Sequence, residues 1–214
     1  MTRQQSVWVS ALMLIASVTA MSVPFASTAN AGEREFNATY SVNDDTAFKL
    51  EFGVGSVTFE RSSDDSIEVE MIAKPSEKKW FGKANLEAVE LNAEQDGDRL
   101  VLTVPEQDGV TLQWVIRVPR IAELNVDLGV GQIAGDVYAS DMDINLGIGD
   151  IDLEVYGDVD SVKTDVGIGD THVSGAEENS NDRAFISASS RAKGKGDARI
   201  NIDTGIGDIT VRIK

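Results

Sequence analysis

Apolar and polar residues alternate along most of this chain, and the alternation slips at one recurring kind of place. Val126, Leu128 and Val130, then Ile144, Leu146 and Ile148, then Ile202, Thr204 and Ile206 occupy every second position ahead of a glycine. Beyond that glycine the pattern resumes one residue out of phase, at Ile151, Leu153 and Val155 and again at Ile209, Val211 and Ile213. Alternation with period two predicts half-buried strands whose apolar residues all face one core. A one-residue slip would turn the apolar set outward unless the chain bulges or bends, so each slip predicts a corner.

The corners repeat. LGVGQI begins at Leu128, LGIGDI at Leu146, VGIGDT at Val166 and TGIGDI at Thr204, with an outlying copy, FGVGSV, at Phe52. The second glycines, Gly131, Gly149, Gly169 and Gly207, stand 18, 20 and 38 residues apart, the last gap being two steps of 19. The predicted corner residues are therefore Gly129, Gly131, Gly147, Gly149, Gly167, Gly169, Gly205 and Gly207, with Asp150, Asp170 and Asp208 placed to accept hydrogen bonds from corner amides. One repeat cannot bury its apolar side alone. Stacking successive repeats about 4.8 Å apart aligns Val126, Ile144 and Ile202, then Leu128, Leu146 and Val166, into inner ladders. The pattern predicts an all-β chain, a β-solenoid with Gly-x-Gly-Asp corners, with a twisted β-sandwich as the alternative.

The N-terminal half is less regular. Strands are predicted over Phe36–Ser41, Ala47–Phe59, Ile67–Ala73, Leu86–Ala93 and Arg99–Val104, with at most a helical turn near Ala84–Ala88. Between Lys74 and Lys83 runs a loop holding Lys74, Lys78, Lys79, Trp80, Phe81 and Lys83, an aromatic and basic cluster on an otherwise acidic chain. It has two readings: a recognition loop, or a cap over the open end of the core. The stretch from Ser174 to Asp182 reads as a second, polar and acidic loop.

Residues 1–31 read as a secretory signal peptide: Arg3, an apolar run from Val7 to Val23, Pro24, then Ala29-Asn30-Ala31. That run is short and diluted by serine and threonine for a membrane span, so no stable membrane insertion is expected after cleavage. Residues 32–214 then form one domain. The chain contains no cysteine, so it adds no disulfides in an oxidising compartment. Its net charge of −17 repels nucleic acid and anionic headgroups, which excludes nucleic-acid partners.

Chemistry has little to work with. His172 is the only histidine, expected on the outward phase between Thr171 and Val173, with no nucleophile or orienting partner in view. The Gly-x-Gly-Asp segments join strand to strand and match neither a Walker loop nor a dinucleotide fingerprint. Two columns of polar residues are expected on the outer faces: Asp127, Asn145, Asp165 and Asp203, and Gln132, Asp150, Asp170 and Asp208. Carboxylates stacked at about 4.8 Å repel by roughly 0.9 kcal/mol per pair in water. Bound Ca²⁺ would reverse that repulsion, so a calcium-stabilised repeat protein is one alternative, while the leading expectation is no cofactor. A carbohydrate-active β-helix enzyme is another, although nothing selects a catalytic pair among the acids.

Together FGVGSV, the strand WVIRVPR ending in Val118-Pro119, the Gly-x-Gly-Asp rungs and the late run GKGDARINIDTGIGDITV (Gly194 to Val211) resemble one family. The chain is similar, over roughly Phe36 to Lys214, to the bacterial putative-adhesin β-solenoid domains. The resemblance implies an exported module that interacts at the cell surface, and it transfers no catalytic residues. The expected function is a non-catalytic interaction or scaffold module of the bacterial envelope, periplasmic or at the surface. Its partner would be an envelope protein or a glycan.

Overall fold

A computed structural model of the chain describes residues 26–30, 32–76, 84–183 and 187–214. Their strands are β1 (Ala26–Asn30), β2 (Glu33–Ser41), β3 (Ala47–Arg61), β4 (Ser66–Pro75), β5 (Asn92–Asp96), β6 (Arg99–Val104), β7 (Val110–Val118), β8 (Glu123–Tyr138), β9 (Asp141–Tyr156), β10 (Val159–Ile168), β11 (Thr171–Ser174), β12 (Glu178–Arg183), β13 (Ala188–Lys193), β14 (Ala198–Ile206) and β15 (Ile209–Ile213). The chain is all-β, as its alternation predicts. All these strands belong to one mixed sheet. β1 lies within the segment read as a leader and pairs antiparallel with β2.

The sheet has two arms because its long strands bend. β3 pairs with β6 over Ala47–Phe52 and with β7 over Gly55–Arg61, while β8 lies along its other side throughout. One arm holds β6, the first halves of β3, β8 and β9, then β14 and β10. The other holds β7, the second halves of the same strands, then β15 and β11. Both arms bury their inward residues in a single apolar core. Contact across it is direct: Phe52 on one arm meets Trp114 on the other at 5.5 Å between ring centroids.

The core ladders follow from the register. Leu50, Val126, Ile144, Ile202 and Thr164 stand side by side, and so do Phe52, Leu128, Leu146, Thr204 and Val166. The ladder expected from Val126 through Ile144 to Ile202 is present. The order of copies differs from simple succession, however. The last corner copy, on β14 and β15, lies between β9 and the pair β10/β11. Among the described residues the 38-residue gap therefore holds no further rung; it contains the antiparallel strands β12 and β13, with β13 against β10. The Phe52 copy stacks directly on β8, with Val54 opposite Val130.

Besides the Ser174–Asp182 stretch, expected as a loop but occupied from Glu178 onward by β12, two expectations are corrected. The strand predicted over Leu86–Ala93 is a 3-10 turn at Leu86–Ala88 followed by extended chain, with β5 beginning only at Asn92. Arg34 explains it: its guanidinium donates to the carbonyls of Leu86, Glu87 and Val89 at 3.2, 2.9 and 2.7 Å, replacing a strand partner. The second correction concerns Val130, Ile148 and Ile206, which alternation aims at the core. They are exposed. Each sits between two glycines, so the bend begins at the first of them and carries the aliphatic side chain out of the core.

Close stacking accounts for those glycines. An added Cβ on Gly149 would lie 1.7 Å from the carbonyl oxygen of Gly131, and φ there is +140°, which L residues rarely adopt. Gly149→Ala is predicted to cost at least about 3 kcal/mol, steric overlap adding to backbone strain. Gly97, at φ +57° with open space around it, is the control; its Ala variant should cost about 1 kcal/mol. Equal losses in thermal melts of the two variants would contradict the stacking account.

The buried Tyr40 hydroxyl has no hydrogen-bond partner, and burial pushes its pKa up to about 12 from 10.0. A raised folded-state pKa means that the contribution is intact below the unfolded value and is lost as pH rises through the folded one. Denaturant melts should therefore show stability falling between pH 10 and about 12, and Tyr40→Phe should flatten part of that fall without a cost at neutral pH.

Candidate interaction face

The outside of the corner is five residues wide and repeats in every rung. Moving outward along the first arm, the columns are Glu51–Asp127–Asn145–Asp203–Asp165, then Gly53–Gly129–Gly147–Gly205–Gly167. An aliphatic column follows, Val54–Val130–Ile148–Ile206–Ile168. Past a second glycine column the face ends on Ser56, Gln132, Asp150, Asp208 and Asp170. The two polar columns predicted from sequence are thus present, with Asp203 between Asn145 and Asp165.

The aliphatic column is what sequence reasoning missed. Val130, Ile148, Ile168 and Ile206 are 39%, 49%, 51% and 45% exposed, and they are the only exposed large hydrophobic residues among those described. All four fall in one register-matched line. The available signal was local: a single aliphatic residue between two glycines, G-V-G or G-I-G, has no side-chain neighbours in its own strand to bury it.

Beside this ridge the first glycine column forms the floor of an open groove of about 730 Å³. Glu51, Asp127, Asn145 and Asp203 line it on one side, and Glu106 reaches in at its β3 end, its Cγ 3.1 Å from where a Gly53 Cβ would stand. Part of this acidic column is already neutralised. Lys49 pairs with Asp127 at 2.8 Å and Glu51 at 3.4 Å, Lys163 pairs with Asp165 at 2.6 Å, and Asn145 donates to Asp127 at 3.1 Å. Asp203 is held above the usual carboxylate range, chiefly by partial burial and further by Asp165 and Asp143, with Lys163 opposing.

The far acidic column is held differently. Oδ1 of Asp150 accepts from the Asp208 amide at 3.1 Å, and Oδ1 of Asp208 accepts from the Asp170 amide at 2.8 Å. Each carboxylate thus bridges to the next rung. These amide bonds offset the like-charge repulsion that a metal would otherwise be needed to relieve. Among the described residues no group of three His, Cys, Asp or Glu is placed to hold a metal ion. His172 is exposed on β11, beside Thr210.

Of the predicted interaction loop, Lys74 lies within β4, one residue before its end at Pro75, and pairs with Glu33 at 3.1 Å. Lys78, Lys79, Trp80, Phe81 and Lys83 lie outside the described residues.

No family model and no curated protein sequence matches the chain. Solved bacterial structures do. A "putative cell adhesion protein" from Clostridium sporogenes is 16% identical, with 83% of this chain and 99% of that one covered at a TM-score of 0.47. A "putative adhesin" from Bacteroides fragilis is 11% identical, with 83% and 96% covered at a TM-score of 0.28. Another "putative adhesin", from Parabacteroides distasonis, is 12% identical, with 84% and 97% covered at a TM-score of 0.27. No helix of the described residues is long and apolar enough to cross a membrane.

The bridging role of the aspartates makes a prediction. Asp208→Asn keeps an acceptor for the Asp170 amide and should leave the melting temperature within about a degree of the parent. Asp208→Ala should destabilise by roughly 0.5–1.5 kcal/mol, the worth of one hydrogen bond. Adding Ca²⁺ or a chelator should leave both melts unmoved. A calcium-dependent rise of several degrees would reinstate the calcium-stabilised reading.

Proposed function

We propose that this chain is an exported, non-catalytic interaction module of the bacterial envelope, adhesin-like in role, working through the outer face of its corner. The observation that carries this reading is the ridge. A chain of net charge −17 gathers every exposed large aliphatic residue of its described part into one line, beside a groove. Isolated apolar residues on a surface are ordinary; an aligned set rimmed by polar columns is the signature of a binding surface. The acids of this face are spread one per rung along a column instead of paired across a cleft. That arrangement favours recognition over glycoside hydrolysis.

Within this proposal the fold is a short β-solenoid. Five corner-bearing rungs stacked in parallel register support it, and the antiparallel strands at both ends act as covers of the stack. Export rests on the leader-like residues 1–31, with processing after Ala31 and a mature chain beginning at Gly32. Such processing removes β1 and leaves β2 at the edge of its arm.

The test uses the full-length chain in bacterial cells, with Gln132 replaced by a photo-crosslinking amino acid. Gln132 is exposed beside Val130, whereas Glu94, on β5, is exposed away from the face and serves as control. Irradiation should join Gln132, and not Glu94, to a defined envelope component, on chains whose N-terminal sequence begins at Gly32. Crosslinking from neither position, or chains that retain Met1 in the cytoplasm, would overturn the proposal.

A further inference from the structure

We infer that the corner ridge is a docking surface for a basic amphipathic helix of a partner protein, an inference that deepens the interaction-module reading and rests on it. Three observations point to that occupant. The ridge is apolar and register-matched: five rungs about 4.8 Å apart give it a length of about 19 Å. Its β8, β9, β14 and β10 members are the exposed Val130, Ile148, Ile206 and Ile168.

Next, the ridge borders the groove whose floor is the first glycine column, so a partner side chain can descend on that side. On the far side the second glycine column is filled by stacked backbone, where a Cβ would meet a carbonyl oxygen at 1.6 to 1.9 Å. A ridge beside a groove is relief onto which helix side chains pack. One helical turn advances about 5.4 Å, close to one rung, so about 13 helical residues would place an apolar side chain near each rung.

Charge supplies the third observation. Beyond the two glycine columns lie carboxylates on both sides, Asp203 and Asp165 on one and Asp150, Asp208 and Asp170 on the other. Lys163 faces the first set, pairing with Asp165. No lysine or arginine belongs to the second column. A helix with an apolar stripe bordered by lysine or arginine on both sides matches this pattern. Anionic membrane surfaces are repelled by it, and a second copy of this chain would bring carboxylate against carboxylate.

The probe is a fluorescent 18-residue peptide of leucine and lysine, with leucines at i, i+3, i+4 and i+7 on one face. Controls are a scrambled peptide of the same composition, a glutamate-for-lysine version, and phosphatidylglycerol vesicles. The amphipathic peptide should bind, shifting the methyl resonances of Val130, Ile148, Ile168 and Ile206 in the unaltered chain. Ile148→Thr with Ile206→Thr should weaken binding at least tenfold while keeping the β-branched side chains that the strands favour. Asp150→Asn with Asp208→Asn should weaken it several-fold and flatten its salt dependence, with the amide acceptors retained. Glu94→Gln with Asp96→Asn should change nothing.

Equal binding of the scrambled peptide, shifts confined to methyls off the ridge, or binding of vesicles in preference to peptide would each overturn the inference. These outcomes separate from failure of the broader reading. Crosslinking from Gln132 to an envelope component, with the peptide unbound, would retain the interaction module and discard the helical partner.

Discussion

The structure depends on one contact repeated along the corner: a glycine carbonyl of one rung occupies the space where the next rung's glycine would carry a side chain. Placed on Gly131, Gly149, Gly207 or Gly169, a Cβ would come within 1.6 to 1.9 Å of the neighbouring rung's carbonyl oxygen. Any other residue would push the rungs apart, and the ladder hydrogen bonds on both arms would lengthen together. Tight corners keep the two arms facing each other. That lets narrow aliphatic side chains such as Ile144, Leu146, Ile151 and Leu153 fill the interior with few aromatics.

The same constraint makes the surface. A bend confined between two glycines leaves one residue at its apex with no place in either arm's core. In every copy that residue is Val or Ile, so the copies write one aliphatic line, exposed at Val130, Ile148, Ile206 and Ile168 and half-buried at Val54. The first glycine column also empties the space beside the line and opens the groove. Fold and candidate site therefore have one cause, and changing a corner glycine alters both.

Electrostatics is settled locally in this acidic protein. Asp141 shows it: its carboxyl is held below the usual range by the Arg199 amide at 2.8 Å and the Arg199 guanidinium at 3.0 Å, a link between β9 and β14. Asp150 and Asp208 make comparable links between rungs by accepting from the amides of Asp208 and Asp170. At the other end of the second arm, Arg61 lies over the rings of Tyr138 and Tyr156 and pairs with Asp136 at 2.6 Å. Arg117 bridges Glu60, Glu68 and Glu70 across three strands. Arg117 is thus shared among three acids, and these contacts of Arg199, Arg61 and Arg117 lie between strands, where they reinforce the register.

Much of this was legible in the sequence. Alternation and its slip located the strands and corners, and the spacing of Gly131 and Gly149 announced a rung of 18 residues. The order of stacking was not legible, because TGIGDI and VGIGDT present nearly the same surface to a neighbour and either could follow LGIGDI. Nor was the ridge, since an alternation rule assigns Val130 and Ile148 to the core unless the bend is known to start one residue earlier. Leu86 to Ala93 misread for another reason: Arg34, distant in sequence, takes the carbonyls that a strand would have offered. Long-range partners decided what the local pattern left open.

Rung order is the central claim, and the absence of native cysteine makes it directly measurable. Asn145 lies opposite Asp203, whereas Asp165 is one rung further on. Disulfides need Cα atoms within about 7 Å, and two rungs separate them by about 9.6 Å. Under mild oxidation, Asn145→Cys with Asp203→Cys is predicted to form an intramolecular disulfide, and Asn145→Cys with Asp165→Cys to remain reduced. Bonding of the second pair and not the first would show that the copies stack in sequence order, and would contradict this account.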